Sequence, residues 1–168
     1  TALRTETGKV FKKIDGTFEA AVYNEAVHFL VDGIWKDIDN SLMFDIETNS
    51  YQNTSNNLKL KFPNSLDDNK QIKLSMGEYS IDWQMLNINS SDIAVDDHEK
   101  IAANIKELTK ISQSVLYEGV SSDVNLEYVL AGTSVKENII IGKYSSNMNF
   151  SFEYKTKGLE MIKDDEGN

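Results

Sequence analysis

The sequence predicts an all-β chain, mainly antiparallel and β-sandwich-like, with many short hairpin-connected strands and at most one short helix near residues 98–109. Three observations lead there. Apolar and polar residues alternate with a period of two in segment after segment. Several segments are separated by two-residue signals of the Asp-Gly or Gly-Glu kind, which suit tight hairpins. A single segment carries apolar residues at helical spacing.

Along the chain, Asp15-Gly16 and Asp32-Gly33 come first, two-residue signals able to supply the positive φ of a type I′ turn. The second lies in "VHFLVDGIWKDIDNSL", Val27 to Leu42. A two-residue loop there pairs Val31 with Ile34, Leu30 with Trp35, Phe29 with Lys36, His28 with Asp37 and Val27 with Ile38. The His28–Asp37 pair then reads as an exposed cross-strand contact, worth at most about 1 kcal/mol. Asp39 and Asn40 read as the strand's exit, where Asx side chains bond nearby backbone.

"ETNSYQNTSNN" (47–57) reads as a polar loop, and so does "NINSSDIAVDD". "LKLKF", Leu58 to Phe62, alternates strictly, and Pro63 ends it. Gly77-Glu78 suits a II′ turn pairing Met76 with Tyr79, Leu74 with Ile81 and Ile72 with Trp83. The opposite face then pairs Lys73 with Asp82, so a slipped register would mix the two faces.

"DDHEKIAANIKELTKI" is the exception. Ile101, Ile105, Leu108 and Ile111 recur at helical spacing, with Asp96 or Asp97 as N-cap. The alternative there is an irregular loop. Alternation returns in "VNLEYVL", with Val124, Leu126, Tyr128 and Leu130 on one side. "VKENIII" places Val135, Glu137, Ile139 and Ile141 together, and "MNFSFEY" does the same with Met148, Phe150, Phe152 and Tyr154. The segments add up to roughly nine to eleven strands in one domain, 1–168, as a sandwich or an open twisted sheet. "KDDEGN" reads as the opening of a turn, so the natural chain is expected to continue past Asn168.

Composition narrows the function classes. A net charge of −10 with a single arginine, Arg4, argues against nucleic acid, whose binding requires neutralised phosphates. No polybasic segment and no run of 18 apolar residues points to a membrane partner or span. The absence of cysteine removes disulfides, thiolate metal sites and cysteine nucleophiles.

Motifs for chemistry are scarce. His28 and His98 stand far apart without H-x-H or H-E-x-x-H spacing, so zinc is not expected, and a lone strand histidine reads as structural. No phosphate loop or nucleophile elbow occurs. Asp37 and Asp39 share a strand face and would read as a solvated edge, although a glycosidase-type carboxylate pair is defined by spatial separation and not by spacing in sequence. Asp164, Asp165, Glu166 and Asn168 lack the order of a calcium loop and read as a solvated turn. Trp35 and Trp83, with Tyr23, Tyr51, Tyr79, Tyr117, Tyr128, Tyr144 and Tyr154, could stack on sugars. Most of them fall on apolar strand faces, where burial is the default. Trp35, with polar neighbours on its face, is the best candidate for exposure. No catalytic, cofactor-binding or metal-binding residue is assigned, and no cofactor is expected.

The ordered pieces resemble the N-terminal region of bacterial wall-associated and RHS/YD-repeat proteins. "DGTFEAAVYNEAVHFLVDGIWKDIDNSL" (Asp15 to Leu42) is similar to that family's DGT…(I/V)Y, VHY and DG-x-W-x-DIDN-x-L. "NNLKLKFP" and "GEYSIDWQM" resemble its F-x-V-x-F-P and Y-x-I-x-W. "SVLYEGVSSDVNLEYVLAGTSVKENIII" resembles its V-x-Y-x-N-V-Y-P-G-V-D-L-E-Y followed by a KE-x-I strand, and "FSFEY…LEMIKDDEGN" its closing strands. Ser121 and Ser122 stand where the family usually has Pro-Gly, Asn125 where it has Asp, and Ala26 where Pro is common.

The resemblance implies a secreted or wall-associated module of a larger surface protein from a Gram-positive bacterium, its signal peptide outside this sequence. Such proteins continue into β-domains and YD repeats that can present a toxin. The expected function is a non-catalytic structural or adhesion domain. The alternatives are a carbohydrate-binding module and, behind it, a glycosidase or lyase. Expected partners are glycans or other domains of the same chain, with no nucleic acid and no membrane insertion.

Overall fold

The computed structural model describes residues 3–96, 110–144, 146 and 148–162. These residues form sixteen strands and no helix, and every strand pairing among them is antiparallel. The expected helix near 98–109 lies outside the described residues.

Two large sheets enclose the core. One has six strands in the order β16 (Phe152–Lys157), β11 (Tyr79–Met85), β10 (Ile72–Met76), β8 (Lys59–Pro63), β7 (Ser50–Ser55) and β6 (Asp39–Asp45). The other has five, in the order β15 (Ser134–Ile141), β14 (Val124–Ala131), β13 (Ser112–Ser121), β12 (Ser91–Asp96) and β9 (Ser65–Leu66). A three-stranded sheet of β1 (Leu3–Thr5), β2 (Gly8–Lys12) and β3 (Phe18–Val22) precedes them, followed by the hairpin of β4 (His28–Val31) and β5 (Ile34–Asp37).

The core is the set that alternation selects. Leu58, Leu60 and Phe62 face Val124, Leu126, Tyr128 and Leu130, all buried, with Ile72, Trp83, Val115 and Tyr117 between them. Burying a Phe62 or a Leu126 completely contributes roughly 2 to 3 kcal/mol each. Tyr128 anchors an aromatic group, with Phe62 at 5.6 Å, Trp83 at 6.1 Å and Tyr117 at 6.3 Å between ring centroids. The buried Tyr117 hydroxyl donates to the Pro63 carbonyl at 2.6 Å, so its one polar atom is satisfied.

The hairpin registers follow from turn chemistry. Asp32 and Gly33 both have positive φ, 49° and 78°, as a I′ turn requires, and the β4–β5 pairs are those read from sequence. Gly77, at φ 60°, turns β10 into β11 with Ile72–Trp83, Leu74–Ile81 and Met76–Tyr79 opposed, and Lys73 meets Asp82 at 3.3 Å. The Asp15-Gly16 turn differs from expectation. Only Gly16 has positive φ, the Lys13 amide bonds the Thr17 carbonyl at 2.8 Å, and Lys12 pairs with Phe18, so the loop holds three residues. Asp15 is kept out of the left-handed region because its carboxylate accepts both the amide and the hydroxyl of Thr17. Ser121 still pairs with Val124, the turn is made by Ser122 and Asp123 with Asp123 at φ 58°, and Asn125 accepts the Gly119 amide at the β13 bulge.

The two segments read as polar loops contain strands, which raises the count above the expectation. β7 lies between β6 and β8 although "SYQNTS" has no apolar alternation. Tyr51 and Asn53 share its inward face, Tyr51 packed on the core and Asn53 buried and polar, and Ser50 is buried at the strand's start. β12 pairs with both β13 and β9. Polar residues are tolerated inside β7 because a buried asparagine cluster satisfies them. Asn40 Nδ2 donates to the Ile111 and Gly132 carbonyls at 2.7 and 2.9 Å. Asn40 Oδ1 accepts from Asn53 and Asn56 at 3.1 and 2.9 Å. Asn53 also bonds the Leu58 carbonyl and the Leu60 amide, and Asn56 the Gly132 carbonyl. Asn40 therefore joins the two large sheets instead of bonding locally, as its place after a strand suggested. Asp39 does bond locally, accepting the Ser41 amide at 3.0 Å.

Candidate functional site

The β4–β5 register decides which side chains meet next to the N-terminal sheet. Trp35 and Asp37 are two apart on β5 and share a face. Arg4 and Lys9 are directly opposed across β1 and β2, so they share a face as well. These two faces, with Tyr23, Asp39 at the start of β6, and Lys110-Ile111, line a groove of about 610 Å³. That volume lies within the range of small-molecule sites.

Asp37 is the electrostatic centre of the groove. Its Oδ2 meets Arg4 at 3.0 Å, and its Oδ1 meets Lys9 at 3.0 Å and His28 Nε2 at 3.2 Å. Partial burial pushes the Asp37 carboxyl up. The Lys9 hydrogen bond and charge, with the charges of Arg4 and His28, outweigh burial and hold it below the ordinary carboxylate range. His28 is fully buried, unlike the exposed pair that alternation suggested. Its Nδ1 lies 2.6 Å from the Thr5 carbonyl, which can only accept, so Nδ1 carries a proton. Nε2 has no hydrogen-bond partner, although it lies 3.2 Å from Asp37 Oδ1.

Asp39 is also held. Its Oδ2 meets Lys110 at 3.0 Å. Burial pushes its carboxyl up, and the Ser41 and Lys110 interactions bring it below the ordinary range. A glycosidase-type general acid requires a raised pKa so that it still holds a proton at neutral pH. Asp37 and Asp39 are both shifted the other way, and both spend oxygens on cations. The arrangement suits a fixed, charged wall better than proton transfer.

Across the groove, four cationic side chains (Arg4, Lys9, Lys36 and Lys110) face two carboxylates. That is a local positive excess in a chain of net charge −10. Sequence reasoning missed Arg4, Lys9 and Lys110 as partners, because they lie 33, 28 and 71 residues from the acids they meet. The chain's lone arginine was the only available signal.

The aromatics divide as follows. Trp35 is half-buried in the groove wall with Tyr23, whereas Trp83, 7% exposed, belongs to the core with Tyr117 and Tyr128. Tyr51 packs on Phe44 at 5.1 Å. Tyr144 is exposed beside Ser121, Ser122 and Asp123, in a separate cavity, and Tyr79 and Tyr154 are exposed on the six-stranded sheet. His98 and the Asp164, Asp165, Glu166 and Asn168 turn lie outside the described residues. Among the described residues no group of three or more histidines and carboxylates could hold a metal ion, and no helix is long and apolar enough to cross a membrane.

The chain is similar to a wall-associated protein of Geobacillus stearothermophilus, 26% identical over 165 residues that cover 96% of this chain. It spans 63% of that protein's length. No family model and no solved structure matches the chain.

Proposed function

We propose that the chain is a non-catalytic, wall-associated β-domain of a bacterial surface protein, exposed outside the cell and serving a structural or adhesive role. The observation that carries this reading is the likeness to the wall-associated protein along nearly the whole chain. The groove supports it, since its two carboxylates are held ionised in ion pairs and neither resembles a general acid. In this reading the domain is one part of a longer chain that continues into YD-type repeats in a Gram-positive organism. The test is to incubate the domain with purified Gram-positive walls and assay the supernatant for newly formed reducing ends. The reading expects none above a no-protein control. A steady release that Asp37→Asn or Asp39→Asn abolishes would instead establish an enzyme.

A second reading is favoured by one specific observation, the half-buried Trp35 beside Tyr23 in a groove with excess positive charge. An aromatic face suits the C–H face of a sugar ring, and the charge suits a saccharide bearing a carboxylate or phosphate. Glycan-array binding lost in Trp35→Ala supports that role. Binding unchanged in Trp35→Ala places the saccharide elsewhere.

A further inference from the structure

Glu137 stands on the inward face of β15, in line with Val135 and Ile139. It is half-buried and lies directly opposite Tyr128 across the β14–β15 ladder. From the other sheet a second cross-strand pair faces it, Trp83 opposite Tyr154. The Trp83 Nε1–H donates to Glu137 Oε2 at 2.8 Å. With Leu74, Ile81 and Val135 these four residues line a cavity of about 230 Å³. It opens on the side of the sandwich where β15 and β16 are both edge strands.

The chemistry of this cavity is lopsided. Among the described residues, no lysine, arginine or histidine forms an ion pair with Glu137. A carboxylate drawn partly out of water is costly unless a cation compensates it. The surrounding aromatic rings offer negative faces that attract cations. Burial, and after it the Glu137 charge, pushes the Tyr128 and Tyr154 hydroxyls above the ordinary phenol range, so both phenols stay neutral. The remaining wall is aliphatic and suits a hydrocarbon stem. An anion is repelled there, and a neutral ligand leaves the Glu137 charge balanced only by the hydrogen bonds of Trp83 and Tyr128, with no cation.

We propose that this cavity binds an alkylammonium group, its charge against Glu137 and the rings of Trp83, Tyr128 and Tyr154, its stem against Leu74, Ile81 and Val135. The ammonium is either primary, as at the end of a lysine side chain on a partner peptide, or quaternary, as in choline. The site lies apart from the groove, so this inference stands independently of the wall reading.

The test uses a Trp35→Phe background, in which Trp83 is the only indole. Its emission is followed on titration with n-butylammonium, with choline, and with n-butanol as the neutral control, at constant ionic strength. At least one ammonium gives a saturable change and n-butanol gives none. Glu137→Gln keeps an acceptor for the Trp83 N–H but loses the charge, and it weakens binding about tenfold or more. A preference for n-butylammonium identifies the lysine-type source, and one for choline the quaternary source. The proposal is overturned if neither ammonium gives a saturable response, if n-butanol matches them, or if Glu137→Gln binds as tightly. Should Glu137→Gln fail to fold, Tyr154→Ala removes an exposed ring and is expected to weaken binding several-fold. Unchanged affinity in that variant overturns the proposal as well.

Discussion

Asn40→Ala is the perturbation that reaches furthest into this molecule. Asn40 is 1% exposed and its side chain makes four hydrogen bonds, two donated to the carbonyls of Ile111 and Gly132 and two accepted from Asn53 and Asn56. Its backbone amide also bonds the Lys110 carbonyl at 2.6 Å, so it fixes the segment that carries Lys110 and Ile111 into the groove wall. At about 1 kcal/mol net per buried hydrogen bond, losing all four costs about 4 kcal/mol. Each former partner keeps another bond: Asn53 to Leu58, Asn56 to Gly132, and the Ile111 carbonyl to the Gly132 amide. The Asn53 and Asn56 amides nonetheless each lose the acceptor of one buried N–H, so the expected loss stays at about 4 kcal/mol. With a urea m-value of about 2 kcal/mol/M, the midpoint falls by about 2 M while m stays constant. Equilibrium urea unfolding followed by tryptophan fluorescence reads this directly. Asn57→Ala, at an exposed neighbouring position, serves as the control and shifts stability by less than about 0.5 kcal/mol. A loss below about 0.5 kcal/mol in Asn40→Ala would refute the reasoning that this cluster ties the sheets together.

Three further outcomes follow from the same structure. Asp37, its carboxyl held below the ordinary value of 3.8, binds fewer protons folded than unfolded in the acid range, so its contribution is complete above that value and is lost as pH falls through the lower folded one. With half of its side chain exposed, that contribution is about 1 kcal/mol after screening, and the gap between wild type and Asp37→Asn in urea titrations should hold down to about pH 5 and close below about pH 4. Gly132→Ala places a Cβ 2.9 Å from the Ala26 carbonyl oxygen at φ +52°, whereas Gly77→Ala meets nothing within 4 Å at φ +60°. Thermal melts should therefore show a loss of about 3 kcal/mol or more for Gly132→Ala and only about 1 to 2 kcal/mol for Gly77→Ala. Tyr117→Phe leaves the Pro63 carbonyl without its 2.6 Å donor and should cost about 1 to 2 kcal/mol by chemical denaturation, with an unchanged circular dichroism spectrum.

The parts of the fold that were legible in the sequence are those governed by short-range rules. Turn residues with a forced φ, Asp32-Gly33 and Gly77, set the register of two hairpins. Alternation then assigned Phe62, Leu126 and Tyr128 to the core. β7 was illegible because Tyr51 is its one apolar residue and the inward residue after it, Asn53, is polar, its burial satisfied by Asn40, a partner more than ten residues away. β1 and β9, of three and two residues, are too short for any period to show. The groove was half legible. His28 opposite Asp37 followed from the register, but Arg4, Lys9 and Lys110 arrive through pairings that no local pattern encodes. The cavity beside Glu137 was legible in pieces, as Ile72–Trp83 and the Val135–Glu137–Ile139 face. Only the stacking of the two sheets brings Trp83 to Glu137.

The central claim is wall association without catalysis, and sedimentation with purified Gram-positive walls tests it most directly. The domain is mixed with walls at increasing concentration, the walls are pelleted, and the protein remaining in solution is measured. The account predicts saturable depletion from the supernatant, with folded protein recovered on release. A domain that stays in the supernatant at every wall concentration, while its circular dichroism shows it folded, contradicts the account.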